Sequence, residues 1–472
     1  MPAPNKTKIV CTIGPASRSP EILEKLLTAG MNIARLNFSH GEFEQHKKDI
    51  EQIKTVATRL GKPVAIMADL PGPKIRIGDL AEEEIELLTN QDLILTTKTV
   101  IGTTEKISVN LPNLHEVVQA GSYIFLNDGF IQLKVKAIKD RDIHCLVVVG
   151  GPLRSRKGLN VPDVDLGIDI LTDKDKEIAA FALKNGVDAL SLSFVEKGED
   201  IAQLRQVATC LGYDPFIIAK IERSQAIKNL DDILKQADGI MVARGDLGVE
   251  IPIARIPIVQ KMIVQKANLM GKPVITATHM LESMIHNVIP TRAEATDVAN
   301  AILDGTDCVM LSGESAVGKH PVVSVTTLSD IAVEAENLRS TKKSDTATIT
   351  SPTICSLDII ASSVEASVYR LSPAAVFVPT RSGATARNIA RYHLPVWVVG
   401  VSSKEKSYKD MVFSYGVIPV HEPDHPTNWR KWIEAKLKEY GFNGNWVILT
   451  EGPSSKYPDR NDRMELIDLK RK

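Results

Sequence analysis

Six short apolar runs in this chain each stop at a cluster of charged or hydroxyl residues. The clusters are Arg35-Leu-Asn37-Phe38-Ser39-His40, Asp69-Leu70-Pro71-Gly72-Pro73-Lys74-Ile-Arg76, Lys220-Ile-Glu222-Arg223, Arg244-Gly245-Asp246, Thr276-Ala-Thr278-His279 and Ser312-Gly313-Glu314. The sharpest case is Gly239–Ala243, which runs straight into Arg244, Gly245 and Asp246. A glycine between opposite charges lets backbone N–H groups approach a ligand, and the aspartate can hold a metal. A surface salt bridge in a turn is the plainer alternative. Glu222 and Asp246 are oxygen donors suited to Mg²⁺ or Mn²⁺, although paired acids can also simply balance Lys220 and Arg244. Arg35, Arg76 and Lys220 are phosphate donors by type. Lys220 lies in the apolar run Phe216–Ile221, and a lysine buried there needs an anion partner. Amides at Gly245 and Asp246, opening a helical turn, suit a carboxylate. Cations, a divalent metal and backbone amides around one point suggest phosphoryl transfer to or from a small carboxylate, a reaction governed by positioning and charge stabilisation. There is no Gly-x-x-x-x-Gly-Lys-Ser/Thr loop, so a Walker motif holds no nucleotide here. No histidine pair has zinc-ligand spacing.

The elements that must position these residues alternate. Strand candidates are Lys8–Ile13, Asn32–Asn37, Val64–Asp69, Ala189–Phe194, Phe216–Ile221, Gly239–Ala243, Val274–Ala277 and Cys308–Leu311. Helical stretches follow most of them: Pro20–Thr28 after the N-cap Ser19, Glu42–Leu60, Asp173–Lys184 after Thr172, and Ile256–Met270. Eight strand–helix units predict a closed (β/α)8 barrel, whose strand C-termini converge on one mouth. The rival is an open doubly wound sheet, disfavoured because no Gly-x-Gly-x-x-Gly follows the first strand. Between Gly72 and about Leu171 the pattern changes to period two, and Asn127-Asp128-Gly129 is a strong hairpin turn. This predicts an all-β insert after the third strand, read as a lid over the mouth. The expected organisation is a barrel over 1–72 and 172–339, a lid over 73–171, a polar linker at 340–350, and a C-terminal α/β domain over 351–472.

Composition narrows the partners. The 472 residues carry 57 basic and 58 acidic side chains, a net charge of −1. That balance argues against nucleic acid or an anionic membrane as the main partner. The N-terminus has no apolar signal core and no run is long enough to span a bilayer. Five scattered cysteines suit reduced thiols without a disulfide framework. A cytoplasmic protein is expected. Cys11 and Cys308 are expected in the core.

The motifs together resemble the pyruvate kinase family. The matching strings are Lys8-Ile-Val-Cys-Thr-Ile-Gly-Pro-Ala16, Ala34–Gly41, Ile218–Glu222, Met241–Pro252, Ala277–Met284 and Met310–Glu314. The resemblance covers nearly the whole chain, and it is loose after the linker. It implies transfer of phosphate from phosphoenolpyruvate to ADP, giving pyruvate and ATP. By motif match, Lys220 would stabilise the phosphoryl group in flight. Glu222 and Asp246 would bind Mg²⁺ (or Mn²⁺). Gly245, Asp246 and Thr278 would touch the substrate carboxylate, and Arg35 the transferring phosphate. Asn37, Phe38, Ser39 and His40 would line the nucleotide side, with Arg76 and Lys157 facing ADP and Asp128 closing over the metal–nucleotide. Thr278, backed by Ser312 and Glu314, would organise the water that protonates the enolate. The resemblance further suggests a homotetramer.

Two departures stand out. Potassium-dependent relatives read Asp-Thr-Lys-Gly-Pro-Glu-Ile-Arg where this chain reads Asp69-Leu70-Pro-Gly-Pro-Lys74-Ile-Arg76. Asn37, Ser39 and Asp69 still match potassium ligands, and Leu70 stands where a threonine would. A fixed Lys74 ammonium is expected to replace the ion, so K⁺ is not expected to be required. His279 stands where relatives often carry glutamine and has no functional account. Beyond the linker, Thr380-Arg381-Ser382-Gly383-Ala384-Thr385 opens a helix and aligns with the family's sugar-phosphate effector loop. An AMP or sugar-monophosphate activator is expected there, with ordinary helix capping as the alternative. Two other functional readings compete: a different Mg²⁺-dependent barrel acting on phosphoenolpyruvate or an enolate, and a catalytically inactive sensor. Intact Lys220, Glu222, Asp246 and Thr278 disfavour the sensor. Arg244 is expected to hold its loop through a carboxylate.

Overall fold

Alternation within each strand fixes which residues face inward. In Phe216–Ile221, Phe216 and Ile218 enter an inner cluster, whereas Ile217, Ala219 and Ile221 join the outer core against the helices. The same alternation puts Ala189, Ser191 and Ser193 on one side and Leu190 and Leu192 on the other. The computed structural model describes residues 4–162, 164–340, 356–424, 426–452 and 462–471. Its central element is a closed parallel barrel of Lys8–Thr12, Met31–Asn37, Ala65–Leu70, Ala189–Leu192, Phe216–Ile221, Gly239–Ala243, Val274–Ala277 and Cys308–Leu311, in that order. These are called the first to eighth barrel strands below. Closure between the first and eighth, with Lys8 opposite Cys308, excludes the open sheet.

Local signals set the helix ends. Ser19 accepts from the Ile22 amide at the start of Pro20–Ala29. Thr172 and Asp175 form a reciprocal capping box on Asp173–Lys184. Gly61 ends Phe43–Leu60 in the left-handed conformation.

The insert folds around its own apolar core. Six strands form one sheet and Glu84–Leu87 pairs with Gly151–Arg154 beside it. Asn127 and Asp128 both have positive φ, as a primed hairpin turn requires. A single helical turn, Leu114–Val117, interrupts the otherwise all-β pattern. The hairpin tip reaches the barrel: a Cβ on Gly129 would lie 3.4 Å from Val249.

The C-terminal unit is a five-stranded sheet with helices. Its antiparallel edge strand, Arg463–Asp468, was not expected from the sequence. The expected linker beyond Ser340, and Cys355, lie outside the described residues. Cys11 and Cys308 are fully buried, as expected. One turn of the C-terminal unit, Met411–Phe413, closes the barrel from below. Val412 and Phe413 belong to the inner barrel cluster, and Phe413 stacks on Phe216 with ring centroids 4.8 Å apart. No helix among the described residues is long and apolar enough to cross a membrane.

Candidate active site

The upper layer of the barrel interior is ionic. Lys220 is 9% exposed, and its Nζ lies 2.8 Å from Glu222 Oε1, 3.4 Å from Asp69 Oδ1 and 2.7 Å from Ser193 Oγ. The two carboxylates are the anion partners its buried position demands. Burial works to lower the Lys220 pKa, but Asp69 and Glu222 outweigh it and hold the ammonium charged. Burial works against the Asp69 charge, yet Lys220 and Arg35 hold the carboxyl below its ordinary range. Arg35 reaches Asp69 Oδ2 through Nε at 2.9 Å and donates to Thr12 Oγ1 at 2.8 Å. Ser191 donates to Asp69 Oδ1 at 2.7 Å.

Glu222 is 1% exposed and accepts the Phe194 amide at 2.7 Å. Burial pushes its carboxyl up, Lys220 pulls it down, and Asp246 adds repulsion. Asp246 is exposed on the first turn of Arg244–Glu250. Two neighbouring carboxylates that repel one another fit a hard divalent cation completed by substrate oxygens and water. Among the described residues no group of three or more His, Cys, Asp or Glu forms a self-sufficient metal cage.

Strain marks the seventh strand's end. Thr278 and His279 have φ of 67° and 53°, and a β-branched residue rarely adopts that region. In this geometry Thr278 Oγ1 accepts the Gly245 amide at 2.8 Å. The Gly245 amide expected to face a carboxylate is therefore already bonded to Thr278. Arg244 binds Asp297 at 2.7 Å and the Thr278 carbonyl at 2.7 Å, so it does hold the loop through a carboxylate. His279 is exposed and nothing in the structure explains it.

Several expected residues sit differently. Phe38 is 8% exposed and stacks on His46 at 4.1 Å, so its ring is core rather than nucleotide lining. Asn37 accepts the Ser39 amide, while Ser39 and His40 are exposed. Glu314 spends its oxygens on the amides of Leu281 and Ser312, bracing two loops rather than touching Thr278. Lys74 is exposed and has no ion pair among the described residues, so the expected fixed ammonium is absent. Asp69 is neutralised by Arg35 and Lys220 instead. Leu70 points outward into the core, and its carbonyl accepts from Ser193. Arg76 bridges to Gly158, next to Lys157, so these two lie together on the lid. Asp128 is exposed on the lid beside a cleft of about 650 Å³ shared with Val249 and Pro252. In the loop Thr380–Thr385, Thr380 Oγ1 accepts the Gly383 amide at 3.0 Å, and Gly383 has φ +77°. Ser407 anchors the Arg381 carbonyl, and Arg381 and Ser382 are exposed; Ala384 and Thr385 open the helix.

Sequence reasoning passed over the first and fourth strands. Thr12, Ser191 and Ser193 complete the ionic layer. The signal was the Ser191-Leu-Ser193 alternation, which places both hydroxyls inside.

Comparison with known proteins agrees with this fold. Residues 4–325 match the family model "Pyruvate kinase, barrel domain", and residues 358–467 match "Pyruvate kinase, alpha/beta domain". A pyruvate kinase of Thermococcus litoralis is 44% identical over 454 residues, 95% of each chain. One from Geobacillus stearothermophilus is 44% identical over 465 residues, 95% of this chain and 77% of that one. The crystal structure of a pyruvate kinase from Cryptosporidium parvum superposes with a TM-score of 0.91 at 35% identity, covering 99% of this chain and 96% of that one. The chain belongs to the pyruvate kinase family.

Proposed function

We propose that this enzyme transfers the phosphoryl group of phosphoenolpyruvate to ADP and then protonates the enolate to give pyruvate. The observation that carries this reading is the buried Lys220–Glu222–Asp69 network at the barrel mouth. Lys220 neutralises charge on the phosphoryl group in flight, and Arg35 approaches the same phosphate from the second strand. Glu222 and Asp246 hold Mg²⁺, which when bound offsets charge on phosphate and enolate oxygens. Thr278 and the Gly245–Asp246 turn orient the carboxylate end, and Ser312 serves the water that protonates the enolate. Arg76, Lys157 and Asp128 bring the lid's charges to the nucleotide. A lactate-dehydrogenase-coupled assay with phosphoenolpyruvate and Mg²⁺ tests this. Pyruvate formation that depends on ADP is expected. Turnover without ADP would instead favour another phosphoenolpyruvate-using barrel, and no turnover a sensor.

The finer parts of the reading rest on sequence departures. Lys74 lies in solvent, so turnover without K⁺ rests instead on the pairing of Asp69 with Arg35 and Lys220; a rate that collapses in Na⁺-only or Tris buffer overturns it. A phosphorylated activator at Thr380–Thr385, AMP or a sugar monophosphate, should shift the phosphoenolpyruvate saturation curve. Exposed Ile253, Ile258, Val288 and Ile289 on the barrel support burial in a homotetramer. The glycolytic reaction supports a cytoplasmic location.

A further inference from the structure

The end of the fourth barrel strand carries interactions that the proposed reaction has not used. Ser193 is 3% exposed. Its hydroxyl donates to the Leu70 carbonyl at 2.7 Å and accepts from Lys220 Nζ at 2.7 Å. The next residue, Phe194, has φ +59°, which a bulky side chain adopts only under constraint. In that conformation its amide donates to Glu222 Oε2.

Leu70 and Gly72 are where the chain leaves the barrel for the lid. Gly72 has φ +64°, and a Cβ there would lie 2.9 Å from Phe194 Cδ2 and 3.3 Å from Ser193 Cβ. The Gly72 amide donates to Asp175 Oδ1, and Asp175 Oδ2 takes the Thr172 amide at the far end of the insert. One buried carboxylate thus pins both chains of the lid neck, while the Ser193–Phe194 turn packs against the outgoing one.

We propose that Ser193 and Phe194 are positioning residues that tie the lid neck to Lys220 and to Glu222. This positioning role rests on the phosphoryl-transfer reading. A lysine side chain is flexible and must be held in one rotamer to present its ammonium. Two of the three partners of Lys220 are carboxylates, whose pull on it changes when phosphate and metal arrive. Ser193 is neutral and keeps its hold. A serine hydroxyl has one proton. Giving that proton to Leu70 leaves the lone pairs for Lys220, so the position of the neck sets the position of the ammonium.

The test uses the full-length enzyme with Ser193→Ala, Ser193→Thr and Gly72→Ala, each checked for folding by circular dichroism. Ser193→Ala should lower kcat by at least about tenfold while the phosphoenolpyruvate KM moves less than about threefold, as a lost alignment does. Ser193→Thr should recover most of kcat. Hydrogen exchange at residues 70–72 should quicken in Ser193→Ala and not in Ser193→Thr. Gly72→Ala, which displaces Phe194, should weaken Mn²⁺ binding read by electron paramagnetic resonance without turnover, by about fivefold or more. Should Ser193→Ala fail to fold, the threonine and Gly72→Ala arms decide. A Ser193→Ala kcat within about twofold of wild type, a threonine variant that recovers nothing, or unchanged Mn²⁺ binding in Gly72→Ala would overturn the proposal. An inactive wild type would instead sink the phosphoryl-transfer reading.

Discussion

The two mouths of the barrel bury charge in opposite ways. At the upper mouth Lys220, Glu222, Asp69 and Arg35 are bonded mainly to one another. At the lower mouth Lys8 donates to the Val417 carbonyl at 2.7 Å. Asp307 there accepts the amides of Tyr415 and Val274. Cys308 donates to the Phe413 carbonyl. Charges bonded to side-chain charges can be re-partnered by a ligand of either sign. Charges bonded to backbone groups of another element stitch that element in place. The upper set is thus built for exchange and the lower set for attachment of the C-terminal unit. The inner layers repeat the contrast, with Phe216 and Phe413 below and Arg35, Asp69, Ser191 and Lys220 above.

This contrast can be broken from the top most severely. Lys220→Met should cut kcat by about 10²–10³-fold or more, because it deletes the preorganised cation at the transferring group. The melt should stay cooperative, since Asp69 keeps Arg35; turnover near wild type would remove Lys220 from the reaction. Phe413→Ala attacks the other end. It empties a fully packed site below the barrel and should cost about 3–5 kcal/mol of stability by denaturant unfolding. The kcat of the surviving folded enzyme should change far less than in Lys220→Met; equal losses would dissolve the distinction between the mouths.

The lower mouth should also carry a pH signature of attachment. Burial pushes the Asp307 carboxyl up to about 7, from an ordinary 3.8. A raised folded pKa means stability that is full below the unfolded value and is lost as pH rises through the folded one. Between about pH 4 and 7, Asp307 should therefore make wild-type stability decline. Asp307→Asn should flatten that part of the profile in thermal melts taken across the range. Lys8 behaves in the opposite sense. Burial lowers it to about 8, so its contribution is full above its ordinary 10.5 and is lost as pH falls through 8. A profile unchanged by Asp307→Asn would show that the lower charges do not couple to attachment.

What the sequence alone determined is local and periodic. Alternation in Phe216–Ile221 dictated that Lys220 faces inward with Phe216 and Ile218, and burial of that run demanded an anion. Ser19, Thr172 and Gly61 set helix ends within a turn of themselves. Glycine and asparagine chemistry set the lid hairpin. Tertiary structure decided which partners answer those demands, because they come from strands far along the chain that meet only when the barrel closes. Asp69 and Ser193 reach Lys220 in this way, and Phe413 reaches Phe216 across a domain boundary. Phe38 and Lys74 show the converse. Phe38 was expected to line the nucleotide side and Lys74 to supply a fixed ammonium, but ring packing against His46 buries the first, and the fold leaves the second in solvent. A period of two or 3.6 tells a side chain which way to face; only the closed sheet tells it what it meets.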